Sequence, residues 1–407
     1  MLELFLKYAA MDSKSGVDKE THPTSSGQTE VIRAIKDDLL ENGVSEDQFR
    51  AFKDGSLLVS FAGAKKGKKV CYAAHVDTSP DAPGGATCII HDNYQGGDIV
   101  LPENGIKIPA ADLVGKEGKT IVTASGRTTL GADDKSGVAI LNQIARDMAN
   151  GLIRDYAPVD MWFCVDEEVG QLDISVVQPH IVNSWDAFIT LDGGHPQEVD
   201  TDCFCGWETF VDFFGESAHP GVDGKKLKPA HYAMARLITE LDDHLKTPWE
   251  SAGMDPFMYV AKATEMTPVH SRAEFYPRSF DPAELPWFHE TIVQKAKQIA
   301  GKYKVRCKIS GKGLMYVGTG TAIKQHPEVL DSIMRVINEV VGEPHGNAVR
   351  GGTDGAMANV SYPSLPAPNL GVGMYNFHGV KEFLVVEEML AMYEVMKRLV
   401  PAYADSE

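Results

Sequence analysis

Four apolar segments of strand length each end in a cluster of polar residues, and helical segments lie between them. The segments and the clusters that follow them are residues 70–74 (His75 to Asp77), 158–165 (Asp166 to Glu168), 186–191 (Asp192 to Gly194) and 370–375 (Asn376 to His378). Between them, Leu141, Ile144 and Met148 recur with helical spacing within residues 134–149. Strands that alternate with helices predict an α/β fold with a mainly parallel sheet.

The hydrophobic pattern changes near residue 207. From there the chain predicts strands at 207–214, 257–263, 271–277 and 303–309, with helices at 230–245 and 285–301. This β-α-β-β-α-β order predicts a small α+β domain inserted into a larger one. A chain of 407 residues also exceeds an ordinary single core. We therefore predict one domain from residues 1–206 and 317–407, and a second from residues 207–316.

Composition narrows the classes of function and partner. The formal net charge is −18, and such a surface repels nucleic acid and anionic lipid. The first residues, MLELFLKYAAMDSKSG, do not have the pattern of a signal peptide, and no apolar stretch has the length of a membrane span. We expect a cytoplasmic protein with no nucleic-acid or membrane partner, and a homodimer is compatible with the sequence.

The residues that end the strands have the chemistry of metal ligands. The carboxyl ends of strands in an open α/β sheet converge on one crevice, so polar residues far apart in sequence can meet there. Imidazole nitrogen and carboxylate oxygen suit Zn²⁺, and Mn²⁺ and Co²⁺ also accept these ligands. Two histidines and three carboxylates suffice for two ions if one carboxylate bridges them. The candidate ligands are His75, Asp133, Glu168, Asp192 and His378.

Each cluster also has an ordinary structural interpretation. A histidine after a strand is commonly a loop residue, and Asp133-Asp134 at a helix start is commonly an N-cap. Glu167-Glu168 alone is commonly a solvated pair, and Asp192-Gly193-Gly194 is commonly a turn. Ligand-type residues occur in all four of these clusters and in a fifth, Gly131 to Lys135, which opens a helix, and this favours the metal site over the separate interpretations.

A set of short motifs, in order along nearly the whole chain, resembles the peptidase T branch of the two-zinc aminopeptidase/carboxypeptidase superfamily. The motifs are HVDTSPD (75–81), TLGADDKSG (129–137), DEEVG (166–170), LDGG (191–194), HPG (219–221), RGGTDGA (350–356) and YNFHG (375–379). The resemblance implies a zinc-exopeptidase-like catalytic domain with an inserted lid domain. It also implies release of the N-terminal residue from short peptides, with tripeptides as the expected substrates.

The resemblance implies roles for the candidate ligands and their neighbours. His75 and Asp192 would bind one zinc ion, Glu168 and His378 would bind the other, and Asp133 would bridge the two. Asp77 would orient His75, and Glu167 would be the general base. The peptide bond between Asp133 and Asp134 would be cis.

Three further residues would contact the substrate by the same resemblance. His219 of the inserted domain would stabilise the oxyanion, which implies a lid that closes on the substrate. Arg350 would bind the C-terminal carboxylate of the peptide, a task suited to a planar guanidinium. Arg278, in YPRSFD, would assist, although a surface salt bridge is the competing interpretation of this residue.

The sequence departs from the family pattern around Pro229, through residues 248–270 and at His195, so substrate length and side-chain preference stay open. Two alternative functions are carried forward. One is a dipeptidase or an N-acyl amino acid amidohydrolase of the same superfamily. The other is a non-catalytic metal-binding or scaffold protein. A nucleotide-binding enzyme is disfavoured, since Gly318-Thr319-Gly320 lacks the G-x-G-x-x-G spacing.

Overall fold

The structure is a computed structural model that describes residues 1–16, 21–170 and 173–404. The chain divides into two compact units. The first contains residues 1–201, 320–347 and 353–407, and the second contains residues 202–319 and 348–352.

The described residues form strands that we number in chain order. They are β1 (Phe49–Ala51), β2 (Leu57–Phe61), β3 (Val70–His75), β4 (Cys88–His91), β5 (Ile99–Val100), β6 (Lys107–Ile108), β7 (Ile121–Ala124), β8 (Val159–Cys164), β9 (Ala187–Gly193), β10 (Glu198–Cys203), β11 (Cys205–Phe214), β12 (Phe257–Thr264), β13 (His270–Ser279), β14 (Arg306–Tyr316), β15 (His345–Val349), β16 (Asn369–Gly371), β17 (Met374–Tyr375) and β18 (Phe383–Val385).

The α-helices of the described residues are numbered in the same way. They are α1 (Leu2–Ala9), α2 (Ser26–Glu41), α3 (Ala132–Ala149), α4 (Pro179–Val182), α5 (Pro220–Asp223), α6 (Ala230–Asp242), α7 (Leu285–Tyr303), α8 (Gly320–Gln325), α9 (Pro327–Val340), α10 (Asp354–Ser361) and α11 (Val386–Ala402).

The central sheet has eight strands in the order β1-β2-β8-β3-β9-β16-β10-β15. Its four central strands, β8, β3, β9 and β16, are parallel to one another. The strands β3 and β8 are buried along their whole length, as expected for strands covered on both faces. One face packs on a core that includes α2, α3 and α11, and the other on a cluster around Trp162, Trp185 and Phe188. The predicted mixed α/β fold with a mainly parallel sheet is therefore confirmed.

A smaller four-stranded sheet, in the order β17-β18-β7-β4, also lies in the first unit. Its strands pair antiparallel. Strand β17 ends at Tyr375, and Asn376-Phe377-His378 follow it directly. The sequence patterns did not predict this sheet. Gly373, at φ +89°, separates β16 from β17, so the predicted single strand over 370–375 is two short strands in different sheets.

The second unit contains an antiparallel sheet in the order β12-β13-β11-β14. Helices α6 and α7 pack on it around Phe213, Met234 and Ile292. Apart from the four-residue helix α5, which precedes α6, the sheet strands and the two packed helices follow in the order β11-α6-β12-β13-α7-β14, which is the predicted β-α-β-β-α-β order.

Element ends in the second unit differ from the predicted ones. Helix α7 continues to Tyr303 and ends at Lys304 in the left-handed region, at φ +56°. The following strand therefore begins at Arg306 and runs to Tyr316, whereas a strand at 303–309 was predicted. Helix α6 ends at Asp242 rather than at residue 245. Among the described residues, no helix has both the length and the apolar character required to cross a membrane.

Candidate metal centre

Neighbouring parallel strands bring the first group of candidate ligands to one edge of the central sheet. His75 is the last residue of β3, and Asp192 is the penultimate residue of β9, the next strand in the sheet. Strand β8, on the other side of β3, ends three residues before Glu167, which opens a short 3₁₀ turn with Glu168. The sheet order therefore places these polar residues together, as the sequence predicted.

Asp133 reaches the same place from the start of α3. Gly131 precedes it in the left-handed region, at φ +75°, a conformation that glycine adopts readily. The dihedral angles of Asp133 and Asp134 are not helical, and the peptide bond between them is cis, as the family resemblance implied. The regular helix thus begins only after these two residues, and Asp133 is 8% exposed.

Both histidines lie against the carboxylate of Asp133. The Nε2 atom of His75 lies 3.0 Å from its Oδ1, and the Nε2 atom of His378 lies 3.3 Å from its Oδ2. His75 is also 3.6 Å from Oδ1 of Asp192, and His378 is 3.0 Å from Oε2 of Glu168. All five predicted ligands are therefore close together, with Asp133 in contact with both histidines.

Two unsatisfied atoms fit a bound cation. Nε2 of His75 and Oε1 of Glu168 are buried and have no hydrogen-bond partner among the described residues, although Asp133 is near the imidazole. Buried polar atoms normally have a partner, and an imidazole nitrogen and a carboxylate oxygen that both lack one are donors that a divalent cation would satisfy. His75, Asp133 and Glu168 each offer one ligand atom, and the three atoms lie within 4.8 Å of one another.

The electrostatics of the cluster also favour cations. Burial, and after it the charge of Asp133, raise the pKa of Glu168 to about 7, although the hydrogen bond to His378 opposes the shift. Burial and the charge of Asp133 raise the pKa of Asp192 well above its usual range. Carboxylates crowded in this way repel one another, and divalent cations remove that repulsion. The donor set and its charge therefore fit a pair of metal ions.

Asp77 supports two parts of the cluster at once. Its backbone carbonyl lies 3.1 Å from Nδ1 of His75, and its Oδ1 lies 3.4 Å from the same nitrogen. Its carboxylate accepts the backbone N–H groups of Glu167, at 3.2 Å, and Glu168, at 3.1 Å. The hydroxyl of Ser15 also donates to Asp77. Asp77 thus contacts the His75 ring and holds the turn that carries Glu167, and its role in orienting His75 stays a prediction.

Three buried residues that the sequence analysis did not identify as supports accept backbone N–H groups of the candidate ligands. Glu382 accepts the backbone N–H groups of Asp133 and Gly131, each at 2.8 Å. Asn369 accepts the backbone N–H of Asp192, at 2.9 Å, and donates to its carbonyl, at 3.0 Å. Asp134 accepts the N–H groups of His75, at 3.2 Å, and Gly137, at 3.1 Å.

Asp134 is a second candidate ligand, because His75, Asp134 and Asp192 also form a close group of ligand-type residues. Both oxygens of Asp134 are engaged by backbone donors, whereas Asp133 faces two imidazoles. This difference favours Asp133 as the ligand and Asp134 as its support. His195 lies apart from this group and its Nδ1 accepts the N–H of Gln197, at 3.2 Å.

Glu167 directly precedes the candidate ligand Glu168 in the same short turn. Burial raises the pKa of the Glu167 carboxyl well above its usual range. His75 opposes this shift, and the carboxylates of Asp354 and Asp192 add to it. A carboxyl group with a raised pKa can accept and return a proton near neutral pH.

The other three predicted site residues lie in the second unit. His219 is exposed and directly precedes α5. The guanidinium of Arg350 donates to the carbonyl of Gly253, at 2.7 Å, and to the hydroxyl of Ser251. Nη1 of Arg278 is buried and has no hydrogen-bond partner among the described residues. Of these two arginines, Arg278 therefore has a buried donor without a partner among the described residues.

Full-length relatives support the family resemblance found in the sequence. Peptidase T of Halothermothrix orenii is 29% identical over 411 residues, which cover 99% of this chain and 99% of that protein. Peptidase T of Shigella flexneri is 29% identical over 416 residues, which cover 98% and 97%. No protein-family model matches the chain. The resemblance to peptidase T is thereby confirmed.

Solved structures share the fold. A tripeptidase from Staphylococcus aureus superposes with a TM-score of 0.75 at 15% identity, covering 98% of this chain and 96% of its own. Aminopeptidase PepT from Bacillus cereus has a TM-score of 0.69 at 18% identity, covering 99% and 97%. A dinuclear metal-binding peptidase from Bacillus subtilis has a TM-score of 0.64 at 13% identity, covering 100% and 98%.

Proposed function

We propose that this chain, a full-length relative of the peptidase T proteins, is a metallo-exopeptidase that releases the N-terminal residue of short peptides, tripeptides foremost. The observation that carries the proposal is the contact of His75 and His378 with the two oxygens of Asp133. That arrangement suits a carboxylate that bridges two cations. The names of the relatives, Peptidase T and tripeptidase, support the substrate class.

We assign the ligands to two ions according to the contacts of His75 with Asp192 and of His378 with Glu168. His75 and Asp192 would hold one ion, His378 and Glu168 the other, and Asp133 both. Two imidazoles with three carboxylates suit Zn²⁺, which we propose as the metal, and Mn²⁺ or Co²⁺ would accept the same donors. A bound pair of ions supplies Lewis-acid activation of water and of the scissile carbonyl.

Glu167 is the proposed general base. It removes a proton from the attacking water as the new carbon–oxygen bond forms at the first peptide carbonyl. It returns that proton to the peptide nitrogen as the carbon–nitrogen bond breaks, so the amino acid and the shortened peptide leave. Asp77 holds the backbone N–H of Glu167 at 3.2 Å and so keeps the base on a fixed turn.

We propose that His219 stabilises the negative charge on the carbonyl oxygen during attack. The resemblance implies Arg350 for the C-terminal carboxylate of the peptide; we propose instead that Arg278 is the main partner, because its buried Nη1 has no hydrogen-bond partner among the described residues. Arg350 contributes by shaping the loop that it binds through Gly253 and Ser251. A guanidinium at a set distance from the reacting carbonyl would favour peptides of one length.

The test is hydrolysis of peptides of graded length by protein of known metal content. Protein loaded with zinc should cleave tripeptides faster than dipeptides and tetrapeptides, and should release the N-terminal residue first. Cleavage of N-acyl amino acids or dipeptides in preference to tripeptides would favour the related amidohydrolases instead. Metal-loaded protein with no activity on any of these substrates would favour the non-catalytic alternative.

A further inference from the structure

The turn that carries Glu167 and Glu168 begins in an uncommon backbone conformation. Asp166, the residue before it, has φ +60°, in the left-handed region that residues other than glycine rarely adopt. Such a conformation is disfavoured for a residue with a side chain and persists where neighbouring groups hold it. The neighbours of Asp166 therefore determine how the proposed base and the ligand are presented.

Gln28 of helix α2 holds Asp166 at two points. Its Nε2 donates to Oδ1 of Asp166 at 2.6 Å, and its Oε1 accepts the backbone N–H of Asp166 at 3.0 Å. Both residues are fully buried. One bond holds the side chain of Asp166 and the other holds its backbone. A rotation of the side chain or of the backbone would therefore break one of these two bonds.

Residues just before α2 complete the surroundings of the Asp166 carboxylate. The backbone N–H of Thr24 lies 3.0 Å from each of its oxygens, and the Thr24 hydroxyl donates to Oδ1 at 2.5 Å. Nδ1 of His22 lies 3.2 Å from Oδ2. These contacts engage the carboxylate, whereas Gln28 also engages the backbone at the point where the turn begins.

Asp77 holds the same turn from within, through the N–H groups of Glu167 and Glu168. The turn is thus held at its entry by Gln28 and along its course by Asp77. Gln28 fixes the peptide plane before the Cα atom of Asp166, and Asp77 fixes the plane after it, so the left-handed conformation of Asp166 depends on Gln28 as well as on Asp77.

We propose that Gln28 is a positioning residue for the metal centre. It sets Asp166 in the left-handed conformation from which Glu168 reaches the metal and Glu167 reaches the attacking water. The part of this inference that concerns Glu167 rests on the proposed function. The part that concerns Glu168 is tested by metal binding alone.

The experiment replaces Gln28 with methionine, which has a similar volume but no amide. Zinc is titrated into metal-free protein in competition with a chromophoric chelator. Loss of a group that orients a metal ligand typically weakens binding or activity by roughly 10–100-fold. Gln28→Met should therefore weaken one of two zinc sites by about that factor and lower kcat, while KM changes by less than about threefold.

Asn142→Leu provides a matched control. Asn142 is also a fully buried amide, and its Nδ2 donates to the Tyr8 hydroxyl at 2.9 Å, in the packing of α1 on α3. Its loss should lower thermal stability by an amount comparable to the loss of Gln28, with both zinc affinities and kcat at wild-type values. Thr24→Val, which removes one donor to Asp166, should give a smaller change of the same kind as Gln28→Met.

Wild-type affinity at both zinc sites in Gln28→Met would overturn the proposal, as would equal losses in Gln28→Met and Asn142→Leu. If Gln28→Met does not fold, Thr24→Val decides the matter by the same zinc titration. If wild-type protein binds two zinc ions but cleaves no peptide, the proposed function fails while the zinc titration still tests the positioning role.

Discussion

His75 and His378 lie far apart in the sequence, and they face the two oxygens of a single carboxylate. Their Nε2 atoms lie 3.0 Å and 3.3 Å from Oδ1 and Oδ2 of Asp133. His75 is buried, and the side chain of His378 is 48% exposed. The cluster thus has an enclosed side and an accessible side, so a ligand can approach it from the side of His378.

The first prediction separates catalysis from metal binding. Glu167→Gln removes the proposed base and keeps its size, so turnover should fall by at least about 100-fold, the usual contribution of general base catalysis. Two metal ions should remain bound, because Glu167 is not among the assigned ligands. Metal analysis and peptide hydrolysis on the same preparation test this. Glu103→Gln, at an exposed carboxylate, is the control, and substantial turnover in Glu167→Gln would exclude the assigned role.

The second prediction concerns the pH dependence of stability in metal-free protein. The pKa of Glu168 rises from 4.5 to about 7 on folding, mainly through burial. Between these values the folded state keeps a proton that the unfolded state releases, so stability falls as pH rises. The pKa of His378 rises from 6.5 to about 11 through Asp133 and Glu168, and this shift extends the decline above pH 6.5.

Thermal unfolding at pH 5 to 8, with and without zinc, tests this prediction. The shift at Glu168 corresponds to a loss on the order of 3 kcal/mol over this range. Zinc should raise the melting temperature most at pH 8, because it replaces the protons as the partner of the carboxylates. A melting temperature of metal-free protein that rises from pH 5 to 8 would contradict the account.

The third prediction distinguishes the two arginines of the second unit. Arg278→Ala should raise KM for tripeptides with a free carboxylate by roughly 10–100-fold, as expected for the loss of a hydrogen bond between charged groups. C-terminally amidated tripeptides should be affected little. Arg350→Ala should affect both kinds of peptide similarly, because Arg350 contacts the loop around Ser251 and Gly253. A carboxylate-specific loss confined to Arg350→Ala would reverse the two roles.

The fourth prediction concerns the support beneath Asp133. Glu382→Leu leaves the buried N–H groups of Gly131 and Asp133 without their acceptor, so the free energy of unfolding should fall by roughly 2–4 kcal/mol. Zinc affinity should also fall, since Asp133 loses the bond that sets its backbone. Urea unfolding of metal-free protein and zinc titration measure the two effects. Unchanged zinc affinity would show that Asp133 is held in place by other contacts.

The sequence predicted the central parts of the fold and of the site because those parts have local signatures. Strands β3 and β8 are apolar apart from the terminal His75 and Asp160, and each candidate ligand lies at the end of an apolar run, shortly after one, or at the start of a helix. The cis bond after Asp133 was predicted only through the family resemblance. The small sheet that contains β7 and β18 was missed because its strands are short and pair with segments distant in the sequence.

The supporting residues were harder to predict. Asn369 and Glu382 are single polar residues in unremarkable segments, and their partners become clear only when the chain is folded. Gln28 did carry a signal. It lies on the same helical stripe as Val31, Ile35 and Leu39, all of which are buried, and a polar residue on such a stripe commonly has a specific partner.

The most direct test of the account is the metal content of protein purified without chelator, compared with that of Asp133→Ala. The account predicts two zinc ions, or other divalent ions, per wild-type chain. It predicts fewer than one in the variant, because Asp133 is the ligand common to both sites. A wild-type chain without metal, or a variant that keeps both ions, would contradict the central claim.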